Sequence, residues 1–202
     1  MTDAAGSVPA AGFRDESVEP EVVDSEKVYT GRVWDVRSDT VRYGDGEIVR
    51  QYVDHPGAAA VVAIDDEDRV VLIQQYRHPV RLREWEIPAG LLDVAGEPPA
   101  DSVKRELAEE VDLVARRWQP LLTMHTSPGG SDEVLHIFLA RDLEAAPAAF
   151  EREDEEADIR VERVAIAEVV DGIIEGRFGN AILIAGVMAA AEVLRREAAA
   201  EH

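Results

Sequence analysis

Apolar residues are spaced along this chain in two different periods, and the change of period marks out its elements. AAAVVAID from Ala58 and VVLIQQYR from Val70 to Arg77 are apolar runs joined by the acidic turn Asp65-Asp66-Glu67-Asp68-Arg69. Runs of this length with β-branched residues predict buried strands rather than helices. Upstream, Lys27 to Arg37 reads as extended and Thr40 to Tyr43 as a second run. Gly44-Asp45-Gly46 then predicts a turn, and Glu47 to Asp54 returns as a strand. Such a meander is marginal alone, so it is expected to dock on the main body or on a second subunit. A short strand, Trp85 to Ile87, leads into Pro88-Ala89-Gly90.

The period then becomes helical. Pro98-Pro99 suits a helix start, because proline's missing donor costs nothing in the first turn. Val103, Leu107 and Val111 recur at i, i+4 and i+8, which predicts a helix from about Pro99 to Val111 with one buried stripe. Strands follow at Trp118 to His125 and Val134 to Ala140, around the loop from Thr126 to Asp132. The acidic loop Glu151 to Glu156 precedes a strand from Ile159 to Ile166. Two helices close the chain, one from Ala167 to Glu175 and one capped by Asn180 and running through Leu183, Val187, Ala190 and Leu194. The pattern predicts an α+β protein with a loose leader over 1–22, a strand domain over 23–55 and the main domain over 56–202.

Composition is ordinary, at 46% hydrophobic and 31% charged, but the net charge is -21. A surface this acidic argues against nucleic acid and anionic membrane as partners, since both need cationic patches. It also means that an anionic substrate needs metal ions or placed arginines. There is no cysteine, so disulfides, thiol catalysis and cysteine-ligated zinc are excluded. That absence of cysteine fits a cytoplasmic protein, the expected location, and the N-terminus lacks the basic and apolar regions of a signal peptide.

The candidate chemistry lies in Gly90 to Leu113. On a helix, Glu106 and Glu110 sit about 40° apart on one ridge, with Glu109 roughly 60° from Glu106. They border the Val103/Leu107/Val111 stripe and so point into a groove beside the core. Arg105 is placed to pair with Glu109, and Glu97 can fold back from the preceding turn. Convergent carboxylates suit a hard cation, Mg²⁺ or Mn²⁺, better than zinc. A row of glutamates with an arginine is by itself usual for a solvated helix face. The full spacing, Glu97-x7-Arg105-Glu106-x2-Glu109-Glu110, is far more restrictive.

In these residues the chain resembles the Nudix hydrolases, whose signature is Gly-x5-Glu-x7-Arg-Glu-U-x-Glu-Glu-x-Gly-U with U apolar. Gly90, Glu97, Arg105, Glu106, Leu107, Glu109, Glu110 and Leu113 stand at matching positions. Six residues rather than five separate Gly90 from Glu97, and Asp112 replaces the late glycine. Asp tolerates the left-handed conformation expected there. Pro128, fifteen residues after Leu113, resembles a mark of the ADP-ribose pyrophosphatase branch, in its actinobacterial type.

The resemblance implies an α/β/α sandwich on a mixed sheet, preceded by a small β-meander domain exchanged across a homodimer. It implies Mg²⁺-dependent hydrolysis of ADP-ribose to AMP and ribose 5-phosphate, with Mn²⁺ able to substitute. It assigns Glu106, Glu110, the Ala89 carbonyl and Glu109 to the metal, with Gly90 and Glu97 in the box loop. Arg105 is counted with Glu109 in the catalytic machinery. Glu155 matches the loop glutamate that activates water, with Glu153 and Glu156 as alternatives. Arg50, Arg77, Glu133 and Gly130 would hold the substrate. Two rivals stay open: another Nudix substrate (a nucleotide sugar, NADH or a dinucleoside polyphosphate), and a non-catalytic sensor that binds ADP-ribose. His55, His78, His125 and His136 lie too far apart for a local metal motif, and Trp34, Trp85 and Trp118 read as core or interface residues.

Overall fold

The computed structural model describes residues 12, 14–147 and 158–200. Strands β1 (Val22–Thr30), β2 (Asp35–Tyr43) and β3 (Gly46–Asp54) form an antiparallel sheet in that order. Strands β4 (Ala58–Ala63), β7 (Ala89–Leu91), β8 (Leu113–His125) and β9 (Val134–Ala145) form a mixed sheet, ordered β7-β4-β9-β8. Within it β4 and β9 pair in parallel. Strands β5 (Arg69–Arg77), β6 (Leu82–Glu86) and β10 (Arg160–Ala165) form the third sheet, ordered β10-β5-β6. The helices are α1 (Pro99–Val111), α2 (Ile166–Ile174) and α3 (Ala181–Ala200).

The apolar runs predicted as buried strands are β4 and β5, and their period of two sorts residues between two helical layers. Ala59, Val61 and Ala63 of β4, with Val71 and Ile73 of β5, pack against Val103, Leu107 and Val111 of α1. Ala60 and Val62, with Val70 and Leu72, pack against Val169 of α2 and Leu183, Val187 and Ala190 of α3. Both faces of these strands are covered, so no polar alternation was needed in the sequence. The result is the expected α/β/α sandwich on a mixed sheet. Among the described residues no helix is long and apolar enough to cross a membrane.

Three local expectations change. The extended run from Lys27 to Arg37 is broken between Thr30 and Asp35. Gly31 lies so close to the Trp34 carbonyl that a Cβ has no room, and its N–H donates to Asp35 Oδ1 at 3.2 Å, which closes the turn. Ala89 to Leu91 forms an unforeseen strand, because its backbone pairs with Ala58 to Ala60 at the edge of the mixed sheet. The β8–β9 hairpin reaches back to Leu113 and out to Ala145. Its outer half carries Arg116, Arg117, Arg141 and Asp142, whose charges mask a strand in the sequence. The expected left-handed turn at Asp112 is present, with φ 55° and ψ 36°.

The meander meets the body through its last strand. Val53 N–H donates to the Gly130 carbonyl at 2.9 Å and Asp132 N–H to the Val53 carbonyl at 3.2 Å. All nine residues of β1 remain exposed.

Candidate active site

Helix α1 starts where the sequence places it, with Pro99 in its first turn. It ends at Asp112, whose N–H donates to the Ala108 carbonyl at 3.1 Å. Burial of Val103 and Leu107 fixes its rotation about its axis. That rotation turns Glu106 and Glu110 towards β7. Ala89 N–H donates to Glu110 Oε2 at 3.0 Å, and Glu110 is only 4% exposed. Beside it, Gly90 packs so closely on the Glu106 carboxylate that any side chain at Gly90 would overlap it.

Arg105 organises the remaining acids. Its guanidinium lies 2.8 Å from Glu106, 3.0 Å from Glu109 and 3.4 Å from Glu97. Burial alone would lower its pKa, but Glu106, with Glu97 and Glu109, outweighs burial and holds it above the ordinary arginine value. Arg105 therefore gathers Glu97, Glu106 and Glu109 around one cation, while Glu110 is held by the Ala89 N–H. Among the described residues no cluster of three or more acidic or histidine side chains is disposed to hold a metal ion. The donors still fit a hard divalent cation. Mg²⁺ keeps several waters and is bound through one or two carboxylates together with substrate phosphates.

Ala89, Gly90, Glu106 and Glu110 line one groove of about 1120 Å³, with Arg77 and Arg105 on its walls. Arg77 donates from Nε and Nη2 to Glu86 at 2.8 and 2.7 Å. The buried Glu86 also accepts from Gln75 Nε2 at 3.1 Å. A buried carboxylate survives without water when hydrogen bonds of this kind replace its solvation.

The other expected residues lie elsewhere. Arg50 is exposed on β3 and donates to the Val49 carbonyl at 2.9 Å. Glu133 accepts from Thr126 Oγ1 and lies 3.8 Å from His55 Nε2. It and Gly130 stand at the seam between the meander and the body. None of these three is among the described residues lining the groove. Glu155, with its alternatives Glu153 and Glu156, lies outside the described residues.

Arg32, Asp93 and Asp158 line the groove although no motif marked them. Arg32 comes from the turn between β1 and β2, which periodicity cannot detect. Glu86 was legible only as a lone charge between Trp85 and Ile87. His55 stacks on Trp34 at 5.5 Å, and the exposed His78 has its Nδ1 3.1 Å from the Tyr76 hydroxyl.

The NUDIX domain model matches residues 54–185. An ADP-ribose pyrophosphatase of Mycobacterium tuberculosis is 45% identical over 170 residues, spanning 84% of this chain and 82% of that protein. An ADP-ribose pyrophosphatase of Bacillus subtilis is 35% identical over 142 residues, spanning 70% and 76%. A solved structure of an ADP compounds hydrolase superposes with a TM-score of 0.75 at 23% identity, covering 91% of this chain and 98% of the other, so the fold is shared. With more than half of its length matched and a relative this similar along most of both sequences, the chain belongs to the NUDIX domain family.

Proposed function

We propose that the protein hydrolyses the diphosphate of ADP-ribose to AMP and ribose 5-phosphate with a divalent cation, Mg²⁺ in the first place and Mn²⁺ as a substitute. The observation that carries this reading is the meeting of Glu106, Glu110 and the Ala89–Gly90 backbone in one groove of about 1120 Å³, which is ample for a nucleoside diphosphate. The names of the M. tuberculosis and B. subtilis relatives support the choice of substrate.

In this reading Glu106, Glu110 and the Ala89 carbonyl hold the cation, with Glu109 at its margin and Gly90 and Glu97 shaping the loop. When bound, the cation neutralises diphosphate charge and acidifies water. Arg105 keeps the box acids together and its own charge present throughout. Arg77 is pre-oriented by Glu86, so it loses little rotamer freedom when it meets a phosphate. Glu155 takes the proton of the attacking water, and Arg50, Glu133 and Gly130 complete the substrate site.

The reading includes a leader over 1–22, a strand domain over 23–55 exchanged across a homodimer, and a hydrolase domain over 56–202. The exposed apolar residues of β1, among them Val22, Val28 and Tyr29, support the exchange, because a small sheet gains stability by covering such a face. A cytoplasmic location accords with the absence of cysteine.

Product analysis with ADP-ribose in isotopically labelled water tests the reaction. AMP and ribose 5-phosphate should form only with a divalent cation, and the label reports the phosphorus attacked. Faster turnover of GDP-mannose or NADH would displace ADP-ribose as the substrate. Tight binding of ADP-ribose without any hydrolysis would instead identify a sensor.

A further inference from the structure

Four arginines line the groove: Arg32, Arg77, Arg83 and Arg105. Three of them already face carboxylates. Arg77 is forked on Glu86 at 2.7 Å, Arg105 is surrounded by Glu97, Glu106 and Glu109, and Arg83 lies 3.7 Å from Asp158. Arg32 differs. Among the described residues no carboxylate lies within ion-pair distance of it, although the chain carries 42 acidic residues against 21 basic ones. Asp93 and Asp158 share the groove with it, and neither forms an ion pair with it, Asp158 lying against Arg83 instead.

The position of Arg32 is set by the backbone. Gly31 admits the chain against the Trp34 carbonyl and its N–H is held by Asp35, so the tight turn presents Arg32 at the groove. Arg32 also lies outside the segment matched by the family model, residues 54–185. Among the described residues its guanidinium has no ion pair to give up on meeting a ligand, whereas the other three would share theirs. A planar fork of donors suits phosphate oxygens better than a point charge does.

We infer that Arg32 is a substrate-binding residue that clamps the phosphate of a nucleoside diphosphate in this groove and contributes to the choice of that substrate class. The inference rests on the proposed diphosphate chemistry of the groove, and the test separates the two.

The experiment compares native protein with Arg32→Gln and Arg32→Lys, using ADP-ribose turnover and calorimetric titration of ADP with Mg²⁺ present. A lost charge-assisted hydrogen bond predicts a KM for ADP-ribose raised on the order of tenfold in Arg32→Gln. The expected kcat stays within about twofold, since binding rather than chemistry is weakened. ADP affinity should fall by a similar factor, and Arg32→Lys should recover part of both. A purely structural role would not produce this split between KM and kcat. Unchanged KM in an active Arg32→Gln enzyme overturns the role of Arg32 and leaves the reaction standing. If native protein does not hydrolyse ADP-ribose, the ADP titration decides alone. Weaker binding by Arg32→Gln then supports the clamp, and equal binding, or none by either protein, overturns it.

Discussion

Glu110 accepts a hydrogen bond from the Ala89 N–H at 3.0 Å while almost wholly buried. This contact ties helix α1 to the edge strand β7 and sets one proposed metal ligand against the backbone. Glu110→Gln keeps an oxygen able to accept that bond but removes the charge. Stability should change by under about 1 kcal/mol, whereas kcat should fall by at least roughly 100-fold. Thermal unfolding and steady-state kinetics read the two effects separately.

Gly90→Ala tests the neighbouring contact. The new methyl would displace the Glu106 carboxylate, which is the far end of a flexible side chain, so it moves at modest cost. The loss of stability should stay below about 1.5 kcal/mol. Activity should drop further than stability, because the displaced group belongs to the proposed site. Full activity at saturating Mg²⁺ would show that Glu106 is not needed where it stands.

Removing Arg105 leaves Glu97, Glu106 and Glu109 without their shared cation. Arg105 is about one-third exposed, so solvent screening keeps the expected loss for Arg105→Ala to about 1–2 kcal/mol. Added Mg²⁺ should raise the melting temperature of this variant more than that of the native protein, since it offsets the exposed repulsion. Equal shifts by differential scanning calorimetry would argue that these acids do not sense a bound cation.

Asp65 should contribute to acid stability. It accepts from the Glu67 and Arg69 amides, both at 3.0 Å, from Arg69 Nε at 2.9 Å and from Arg163 Nη1 at 3.3 Å. Burial raises its pKa, but the Arg69 side chain and the two amides outweigh burial and leave it below the ordinary 3.8. The folded value is the depressed one. Its stabilisation is therefore complete above the unfolded value and is lost as pH falls through the folded value. Asp65→Asn should cost about 1–3 kcal/mol at pH 7. The difference from native protein should shrink in urea titrations as pH falls below 3.8 and through the depressed folded value.

The exposed face of β1 yields a test of assembly. Light scattering should report a dimer, and Tyr29→Asp, at a position 62% exposed in the single chain, should shift it to monomer. A fully active native monomer would refute the exchanged strand domain.

Glu106 and Glu110 were legible because helical geometry converts a spacing of four into a shared face, and the apolar stripe beside them fixes that face relative to the core. The bounds of α1 were legible for related reasons, proline at one end and a residue tolerant of positive φ at the other. The strand at Ala89 to Leu91 was not, since it exists through pairing with Ala58 to Ala60 and carries almost no pattern of its own. The engagement of Glu97 and Glu109 by Arg105 was only partly visible. The i,i+4 contact could be anticipated, but the reach of Glu97 across the turn depends on the loop path.

By itself, then, the sequence determined the period and order of the elements, the burial of β4, β5 and the stripe of α1, and the acids of one helical ridge. These follow from local geometry and hydrophobicity, which act over a few residues. Tertiary structure alone decided that Ala89 and Gly90 would meet that ridge and that Arg77 would be held by Glu86. It also decided that Arg32, more than fifty residues upstream of the box, would reach the same groove. Such contacts depend on how strands register and layers pack, and no periodicity records them.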